Sequence, residues 1–468
     1  MRRARWIPLA LALAGCTLAP AYHRPAPPVP TASPTGPAYP AIAPADQSAP
    51  LAGWRDLFTD PKLKTVIDQA LANNRDLRIA MANIQAARAQ YQVQRSALLP
   101  TVNGQAGESY TRTPAALEGI PGEKGSFDLR YYSAQIGFSA WEIDLFGRIR
   151  SLTRAQQEQY FATEEARRDT QISLIAEVAS DYLTYGSDSA LLKISRDTLT
   201  SGQASLDVTE KRLNGGVGTG LDVAQAQTIV EQAKADVARL TTQVAQDKNA
   251  LDLVVGAPVD EALLPSDVDL TIARADALPG AIRSEVLLSR PDVVEAEDQL
   301  KAANANIGAA RAAFFPSLTL TAEDGVASTA LQTLFRAGTS AWTFAPNITQ
   351  PIFDYGKNRA NLHYAKAERD VAVATYEKSI QTAFREVADA LAERGSIDRQ
   401  LAGEQGLVDA SADSLRLAAA RYDRGTDTYL NELIAQRSLY TAQQTLVSTR
   451  LAAATNLVTL YKVLGGGA

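Results

Sequence analysis

One long stretch without proline decides the fold of this chain, and it runs from residue 146 to residue 213: FGRIRSLTRAQQEQYFATEEARRDTQISLIAEVASDYLTYGSDSALLKISRDTLTSGQASLDVTEKRL. A second such stretch runs from Tyr355 to Asp423. Because proline breaks helices, its absence over these lengths predicts a continuous helix in each stretch. At about 1.5 Å per residue, each helix would reach roughly 100 Å. Helices of that length do not fit a compact domain, so the sequence predicts an extended helical architecture.

The segments that follow these two stretches carry apolar residues at coiled-coil spacing. Their steps alternate between four and three residues, as in helices that pack along a shared seam, except where Asp247 interrupts the first series and where Thr449 and Asn456 stand in the second. The first seam consists of Ala226, Val230, Ala233, Val237, Leu240, Val244, Leu251 and Val254. The second consists of Ala435, Leu439, Ala442, Leu446, Ala453, Leu460 and Val463. The many small residues favour packing into a helical wall over a two-chain leucine zipper.

The chain contains two copies of one unit, which we looked for first because repeats decide architecture. Residues 81–100 match residues 297–316 at an offset of 216, which places Arg95 on Arg311. The later matches, at an offset of 209, are FGR at 146–148 with YGK at 355–357 and RLNGG at 212–216 with RYDRG at 421–425. We predict a first copy at 51–256, a linker at 257–284 and a second copy at 285–464.

Short segments of alternating residues precede each long stretch and predict β-strands. In the first copy one face carries Ala134, Ile136, Phe138 and Ala140, with small polar residues between them. In the second copy the apolar positions are Leu318, Leu320, Ala322, Trp342, Phe344 and Ile348. Two interpretations of this pattern stay open: a membrane barrel with a wet lumen, or an antiparallel sheet with one face on a core.

The N-terminus has the layout of a secretory signal, with arginines at positions 2, 3 and 5 before a short apolar run. The run ends Leu13-Ala14-Gly15-Cys16, which resembles the bacterial lipobox and contains the chain's one cysteine. We predict a lipoprotein signal peptide at 1–15 and a lipid on Cys16; the alternative is a plain secretory signal that happens to contain a cysteine. Eleven of the 22 prolines lie in the first 50 residues. Residues 16–50 are therefore predicted to be an extended tether rather than part of a packed core.

Composition argues against nucleic-acid binding and against catalysis. The formal charge is −6, and it becomes −9 when the three leader arginines are removed, the wrong sign for binding phosphate. Neither His23 nor His363 has a Ser, Cys or Asp partner at a recognisable spacing, and the glycine clusters match no phosphate loop. We expect no metal, no cofactor and no enzyme activity.

The duplicated unit behind a lipobox and a proline-rich tether resembles the outer-membrane factor family, the TolC-like channels, and specifically its lipoprotein branch, often called NodT-type. The clearest motifs are WRDLFTDP at 54–61, DLFGR at 144–148, RYDRG at 421–425, YL at 429–430 and AQR at 435–437. The resemblance covers nearly the whole mature chain. It implies a mainly α fold with a small β part: long coiled-coil hairpins in a helical barrel through the periplasm, and four strands per chain in a trimeric 12-stranded transmembrane β-barrel. Strand counting agrees, since four strands cannot close alone and a conduit needs more than the eight strands of a dimer.

The same resemblance implies a function and partners. The chain would be the passive outer-membrane exit duct of a tripartite RND-type efflux pump for small molecules such as drugs. It would be a lipid-anchored homotrimer working with a periplasmic adaptor, or membrane fusion protein, and an inner-membrane transporter.

In the family the two turns between the long helices dock the adaptor and close the channel. The resemblance therefore assigns adaptor docking to Gly216, Gly218, Gly425 and Thr426, and a periplasmic gate to Arg421, Tyr422, Asp423 and Asp427. A purely structural interpretation stands beside this one. Gly216 and Gly425 suit helix C-caps, and Thr219 with Asp222 suits a capping box.

The sequence departs from the family near the closed end. Where members often read Leu-Asp-Ala, this chain reads Leu433-Ile434-Ala435, and Asn431 stands where another acid can occur. Any acidic ring must come from Asp423, Asp427 or Glu432, or be absent.

Two rival functions remain open on sequence alone. A periplasmic coiled-coil lipoprotein would explain the heptads and Cys16, but not the alternating strands with aromatic residues at their ends. A conduit of a type I protein or peptide secretion system would share the pore and differ only in its partners.

Replacing Cys16 with alanine tests the lipid anchor. Cys16→Ala should remove the acyl mass and leave the leader uncleaved by the lipoprotein peptidase, which intact mass spectrometry measures directly. An unmodified Cys16 in the wild-type protein would contradict the prediction.

Overall fold

The structure, a computed structural model, describes residues 17–39, 53–114, 125–274 and 284–467. The predicted signal peptide and Cys16 lie outside the described residues, as do residues 40–50 of the predicted tether. No helix in the described part of the chain is both long enough and apolar enough to cross a membrane.

The first copy of the repeat contains three helices, two strands and a long helical hairpin. Its leading helices are α1 (Trp54–Leu57), α2 (Pro61–Asn73) and α3 (Arg75–Ser96). The strands and hairpin helices that follow are β1 (Asn103–Pro114), β2 (Ser126–Ile143), α4 (Arg148–Asn214) and α5 (Gly220–Val255).

The second copy repeats the helix, the strands and the hairpin. Its elements are α6 (Pro291–Ala312), β3 (Ser317–Ser328), β4 (Ser340–Thr349), α7 (Lys357–Asp423) and α8 (Tyr429–Val463). Short 3₁₀-helices lie at Glu261–Leu263, Ser284–Ser289 and Leu331–Thr333.

The two proline-free stretches form helices of equal length. Both α4 and α7 contain 67 residues, which confirms the predicted continuous helices and the mainly α fold with a small β part. The predicted coiled-coil seam is largely buried along α5 and α8. Its fully buried members are Ala226, Val230, Ala233, Leu240, Leu251, Ala435, Ala442, Leu446, Ala453, Leu460 and Val463.

Local side-chain chemistry fixes where helices begin and end. Asp60 accepts a hydrogen bond from the Lys62 backbone N–H at 2.7 Å, and Pro61 occupies the first helical position of α2, where its missing N–H costs nothing. Helix α5 ends at Gly256, whose φ of +77° lies in the left-handed region that glycine adopts readily.

The chain packs as two compact units, each drawn from both copies of the repeat. The sheet unit comprises the described residues of Met1–Pro25 with Asn83–Thr163 and Ala296–Tyr376. The hairpin unit comprises the described residues of Ala26–Ala82, Glu164–Glu295 and Glu377–Ala468.

The main core of the hairpin unit forms around α2. Leu63, Val66 and Ile67 of this helix are fully buried, together with Tyr182 of α4. The Tyr182 hydroxyl donates to Asp60 Oδ2 at 2.9 Å, so its polar end is satisfied within the core. Desolvation, followed by this bond to Asp60, raises the pKa of Tyr182 above its ordinary value, and the phenol stays neutral.

The sheet is antiparallel, with the strand order β1-β2-β3-β4. The central pairing, β2 with β3, joins the two copies of the repeat and aligns Phe138 with Ala322. The next pairing aligns Ala322 with Phe344. One face of the sheet therefore carries an apolar row across three strands, as the alternation predicts.

The prediction for Ala140 is wrong. A β-bulge between Phe138 and Trp141 inserts one residue into β2, and Ala140 adopts a φ of +52° there. Since the side-chain period of a strand is two, the extra residue shifts the alternation. Trp141, rather than Ala140, joins Phe138 on the apolar face, and the two rings meet edge to face at 6.0 Å.

The described part of the predicted tether, residues 17–39, contains no helix, and its first part makes specific contacts. Within the sheet unit, residues 17–25 form what we call the N-terminal strap, which packs against α6. Arg24 donates to both oxygens of Glu297, at 2.9 and 2.6 Å, and the Tyr22 hydroxyl donates to Oε1 at 2.9 Å. Burial alone would raise the pKa of Glu297, but the hydrogen bonds from Arg24 and Tyr22 outweigh it and lower the pKa. The carboxylate thus holds the strap in place.

Removing this carboxylate tests how the strap is held. A charge-assisted hydrogen bond is worth about 1.5–3 kcal/mol, so Glu297→Gln should accelerate hydrogen exchange in residues 17–25 by about tenfold or more. Exchange mass spectrometry of the purified protein measures this. His23→Ala is the matched control, because His23 is an exposed strap residue between the two contacts. Equal exchange in wild type and Glu297→Gln would contradict the account.

Candidate functional site

The candidate site consists of the two turns of the hairpin unit. The first turn joins α4 to α5 and contains Gly216; the second joins α7 to α8 and contains Gly425. Both glycines have a φ of +72°, so both are left-handed residues just past a helix end, as the capping interpretation predicts.

The turns close on equivalent carbonyl groups. The Arg212 carbonyl accepts from the backbone N–H groups of Val217 and Gly218, both at 3.0 Å. The Arg421 carbonyl accepts from the Thr426 N–H and the Thr426 hydroxyl, also at 3.0 Å each. In each turn, therefore, a single carbonyl oxygen accepts two hydrogen bonds. Both donors are backbone N–H groups in the first turn, whereas in the second turn one donor is a backbone N–H and the other is the Thr426 hydroxyl.

The two turns cap their following helices differently. Thr219 and Asp222 form the predicted capping box at the start of α5. At the start of α8 no side chain caps the N-cap residue Thr428. There the carboxylate of Asp427 accepts from the Thr428 N–H at 2.8 Å and from the Asn431 side-chain amide at 2.6 Å.

The second turn also contains an ion pair. Arg421 Nε donates to Asp427 Oδ2 at 2.9 Å. Hydrogen bonds from the Thr428 backbone and Asn431, followed by Arg421, lower the pKa of Asp427. Asp423 lies exposed on the same turn. Burial, and then the Asp423 charge, raise the pKa of Glu432.

An aromatic contact ties the first turn to the second. The Arg212 guanidinium carbon lies 4.2 Å from the centre of the Tyr422 ring, a cation–π contact. Tyr422 in turn lies 5.3 Å from the buried ring of Tyr429. Tyr429 packs with Ala226, Ile229 and Leu433. The gate candidate Tyr422 is therefore a link between the two hairpins of one chain.

Sequence reasoning did not assign a role to Tyr429 or to a groove beyond the turns. This groove, of about 800 Å³, lies between α4, α5 and α8. Tyr440 crosses it, donating to Asp236 at 3.0 Å and lying 2.8 Å from the Ser195 hydroxyl. The sequence carried no signal for this contact, because Tyr440 and Asp236 are 204 residues apart in the chain.

A solved outer-membrane channel, MtrE of Neisseria gonorrhoeae in its open state, shares this fold, with a TM-score of 0.85 at 38% identity over 97% of this chain and 98% of that one. The sequence model of the family described as "Outer membrane efflux protein" matches residues 66–257 and 282–466, so this chain belongs to the outer membrane efflux protein family. This confirms the family expected from the sequence motifs, and with it an outer-membrane location.

Relatives and solved structures agree over nearly the whole chain. The solvent efflux pump outer membrane protein SrpC of Pseudomonas putida is 48% identical over 461 residues, which cover 98% of this chain and 96% of SrpC. The cation efflux system protein CusC of Escherichia coli K12 is 40% identical, with 98% of both chains covered. A crystal structure of a membrane protein from Pseudomonas aeruginosa superposes with a TM-score of 0.88 at 39% identity, covering 96% of this chain and 100% of that one.

Breaking the Arg421–Asp427 pair tests the gate. The double variant Arg421→Ser with Asp427→Asn removes the ion pair, while the asparagine side-chain oxygen can still accept from the Thr428 N–H and the Asn431 amide. An exposed pair is worth only about 0–1 kcal/mol, so the predicted gate would need several such pairs acting together to stay closed. We expect higher single-channel conductance in planar bilayers, and a smaller rise in wild type at high salt.

The control variant is Lys211→Ser with Asp207→Asn, which removes an exposed pair on α4 near the first turn and should leave conductance unchanged.

The turn should also depend on pH. Because the pKa of Asp427 is lowered in the folded turn, the ionised carboxylate stabilises the turn fully above the unfolded pKa of about 3.9. This stabilisation is lost as pH falls through the lower folded value. Wild-type conductance in the double variant would place the gate elsewhere, with Asp423 and Tyr422 the next candidates.

Proposed function

We propose that three copies of this chain form the outer-membrane exit duct of a tripartite efflux pump for small organic molecules. The observation that carries this proposal is the 48% identity, over nearly the whole chain, to an outer-membrane protein of a solvent efflux pump. In the proposed assembly an inner-membrane transporter hands the cargo to a periplasmic adaptor, which joins this chain. The duct is passive: it is not an enzyme and uses no cofactor.

Strand pairing supports the trimer. Among the described residues, β1 and β4 each pair on one side only. A barrel in lipid must close, because every backbone donor and acceptor needs a partner there. Eight strands from two copies would fill with side chains, whereas twelve from three copies leave a lumen.

The geometry of the turns supports adaptor docking. A Cβ atom built on Gly216 or Gly425 would meet no atom within 4 Å, so these glycines would present bare backbone to a partner, and Thr426 directly follows Gly425 in the second turn. Gly218 differs, since a Cβ there would lie 2.9 Å from the Leu213 nitrogen. Gly218 is needed to shape the docking surface rather than to touch the partner.

The remaining parts of the proposal concern the N-terminus and the repeat. A lipid on Cys16 would anchor the mature N-terminus at the membrane, and residues 16–50 would connect it to the channel. The copies at 51–256 and 285–464, joined by the linker at 257–284, would each supply one hairpin and two strands to the assembly.

A specific observation favours a second cargo class. The 40% identity to a cation efflux system protein makes metal cations the alternative cargo. Organic molecules are preferred because the identity to the solvent pump protein is higher. The third candidate is a protein secretion conduit, which would share the pore and differ in its partners.

Loss of the gene tests the function. A bacterium lacking this chain should become several-fold more sensitive to organic solvents and lipophilic antibiotics, and the wild-type gene should restore growth. The variant Gly216→Asn with Gly425→Asn should reach the outer membrane in normal amounts yet fail to restore growth, because its side chains block docking while asparagine tolerates the left-handed backbone.

The matched control is Gly403→Asn, which adds the same side chain in open space on α7 and should restore growth. Sensitivity confined to metal salts would redirect the proposal to cations. Loss of a secreted peptide with unchanged solvent tolerance would redirect it to secretion.

A further inference from the structure

The proposed function leaves one sequence motif without a role. The motif WRDLFTDP at 54–61 contains α1, which lies at neither the turns nor the sheet. Leu57 and Phe58 are fully buried in the core of the hairpin unit, which accounts for the apolar part of the motif. Trp54, Arg55 and Asp56 are not fully buried, and they line a cavity instead.

This cavity has a volume of about 520 Å³ and lies wholly within the hairpin unit. Its wall is formed by the start of α1, by one face of α4 and by the end of α8 with the glycines that follow it. The lining residues outside α1 are Arg167, Arg168, Gln171, Ile172, Ile175, Tyr461 and Gly465 to Gly467. Apolar side chains with a few polar groups among them are typical of ligand-binding cavities.

Glycine lets the chain lie close against one side of the cavity. Gly465 and Gly466 have φ values of +90° and +59°, in the left-handed region that glycine adopts readily. A Cβ on Gly466 would lie 2.8 Å from Ile172 Cγ1 and 3.1 Å from the Tyr461 hydroxyl oxygen. A larger residue at position 466 would therefore displace the cavity lining.

The three arginines of the cavity differ in how their charges are balanced. Arg55 donates to both carboxylate oxygens of Asp68, at 3.2 and 2.6 Å. Arg168 donates to both oxygens of Glu165, at 3.1 and 2.8 Å. Arg167 forms no ion pair with a carboxylate in the described part of the chain.

Arg167 is thus a half-buried cation without a protein counterion. Its Nη2 donates to the side-chain oxygen of Gln171, while its Nε is buried and has no acceptor among the described residues. Asp56 also lines the cavity, but it is exposed and does not pair with Arg167. A charged donor that is removed from water without a partner destabilises the fold. An anion bound beside Arg167 would offset that cost.

The second copy of the repeat shows that packing does not require a charge at this place. At the offset of 209, the counterparts of Arg167 and Gln171 are Tyr376 and Ile380, and both are fully buried. The same part of the long helix therefore accepts an aromatic and an aliphatic side chain in α7. A structural role alone does not explain the guanidinium and the amide in α4.

We propose that this cavity, which we call the α4 pocket, binds an organic ligand through one carboxylate group, with Arg167 as its counterion. The Gln171 amide and the Tyr461 hydroxyl supply further hydrogen-bond donors. The Trp54 ring and Ile172 contact the apolar body of the ligand. The α4 pocket is separate from the turns and from the sheet, and its ligand does not depend on the proposed function.

The charge balance selects a monoanion. Arg55 and Arg168 already have carboxylate partners, so Arg167 supplies a single unmatched positive charge. A planar guanidinium fits the two oxygens of a carboxylate through parallel hydrogen bonds. The Gln171 side-chain oxygen already accepts from Arg167, which leaves its amide nitrogen as a donor. A phosphate dianion would bring a second, unmatched charge close to Asp56.

Fluorine NMR of the detergent-solubilised full chain tests the α4 pocket. We expect para-fluorobenzoate to bind about tenfold or more tightly than para-fluorobenzamide, which has a similar shape but no charge, because hydrogen bonds between charged groups are the stronger ones. Arg167→Gln should weaken benzoate binding about tenfold and leave benzamide binding unchanged. The matched control is Arg416→Gln, which removes an exposed guanidinium of α7 and should bind both compounds as wild type does.

A second variant serves if Arg167→Gln does not fold. Arg167→Lys keeps the positive charge but lacks the planar fork, so it should also weaken benzoate binding. Equal affinity for benzoate and benzamide, or equal benzoate affinity in wild type and the folded Arg167 variants, would overturn the inference and would indicate uptake by detergent alone. The absence of binding at about 10 mM, where a millimolar affinity is measurable, would overturn it as well.

A third compound distinguishes two sources of the carboxylate. N-acetylphenylalanine carries the carboxylate of a peptide end, whereas para-fluorobenzoate represents a free small acid. Tighter binding of N-acetylphenylalanine would assign the α4 pocket to peptide ends, and weaker binding would assign it to small acids. Both results support the carboxylate site, provided that Arg167→Gln weakens binding of the preferred compound.

Discussion

Backbone hydrogen bonding at the edges of the four-stranded sheet is the constraint on which the structure depends. In lipid, an unpaired backbone N–H or C=O costs several kcal/mol, so only closed barrels and helices span membranes. Among the described residues β1 and β4 each keep one edge without a strand partner, while Trp342, Phe344 and Ile348 are exposed on the apolar face. In the proposed trimer the apolar face would meet lipid, and the two edges would pair with neighbouring copies.

Duplication of the helix–strand unit satisfies part of this constraint within one chain. The pairing of β2 with β3 joins the two copies inside the chain, and the helices next to it pack through Ala155, Ala302 and Ala305. At the turns, by contrast, the copies have diverged, with a capping box in one and the Arg421–Asp427 pair in the other. In the proposed function, this divergence would let the two turns dock an adaptor and close the channel while the helical wall keeps its repeat.

Much of the fold was predictable from the sequence because its signals are local. Proline-free runs fix α4 and α7, and glycine and threonine mark the turns. The bulge was not predictable, since alternation gives no sign that Ala140 takes a positive φ. The strap was missed because composition reports the prolines but not that Arg24 meets a buried carboxylate 273 residues away. At the site, sequence placed two acids near Arg421, and only the geometry of the turn selects Asp427 as its partner.

The number of copies around the channel axis tests the central claim most directly. A cryo-EM reconstruction of the detergent-solubilised protein should have threefold symmetry, with twelve strands in one closed barrel and β4 of each copy paired to β1 of the next. A stable monomer with open sheet edges, or a dimer closed by eight strands, would contradict the account.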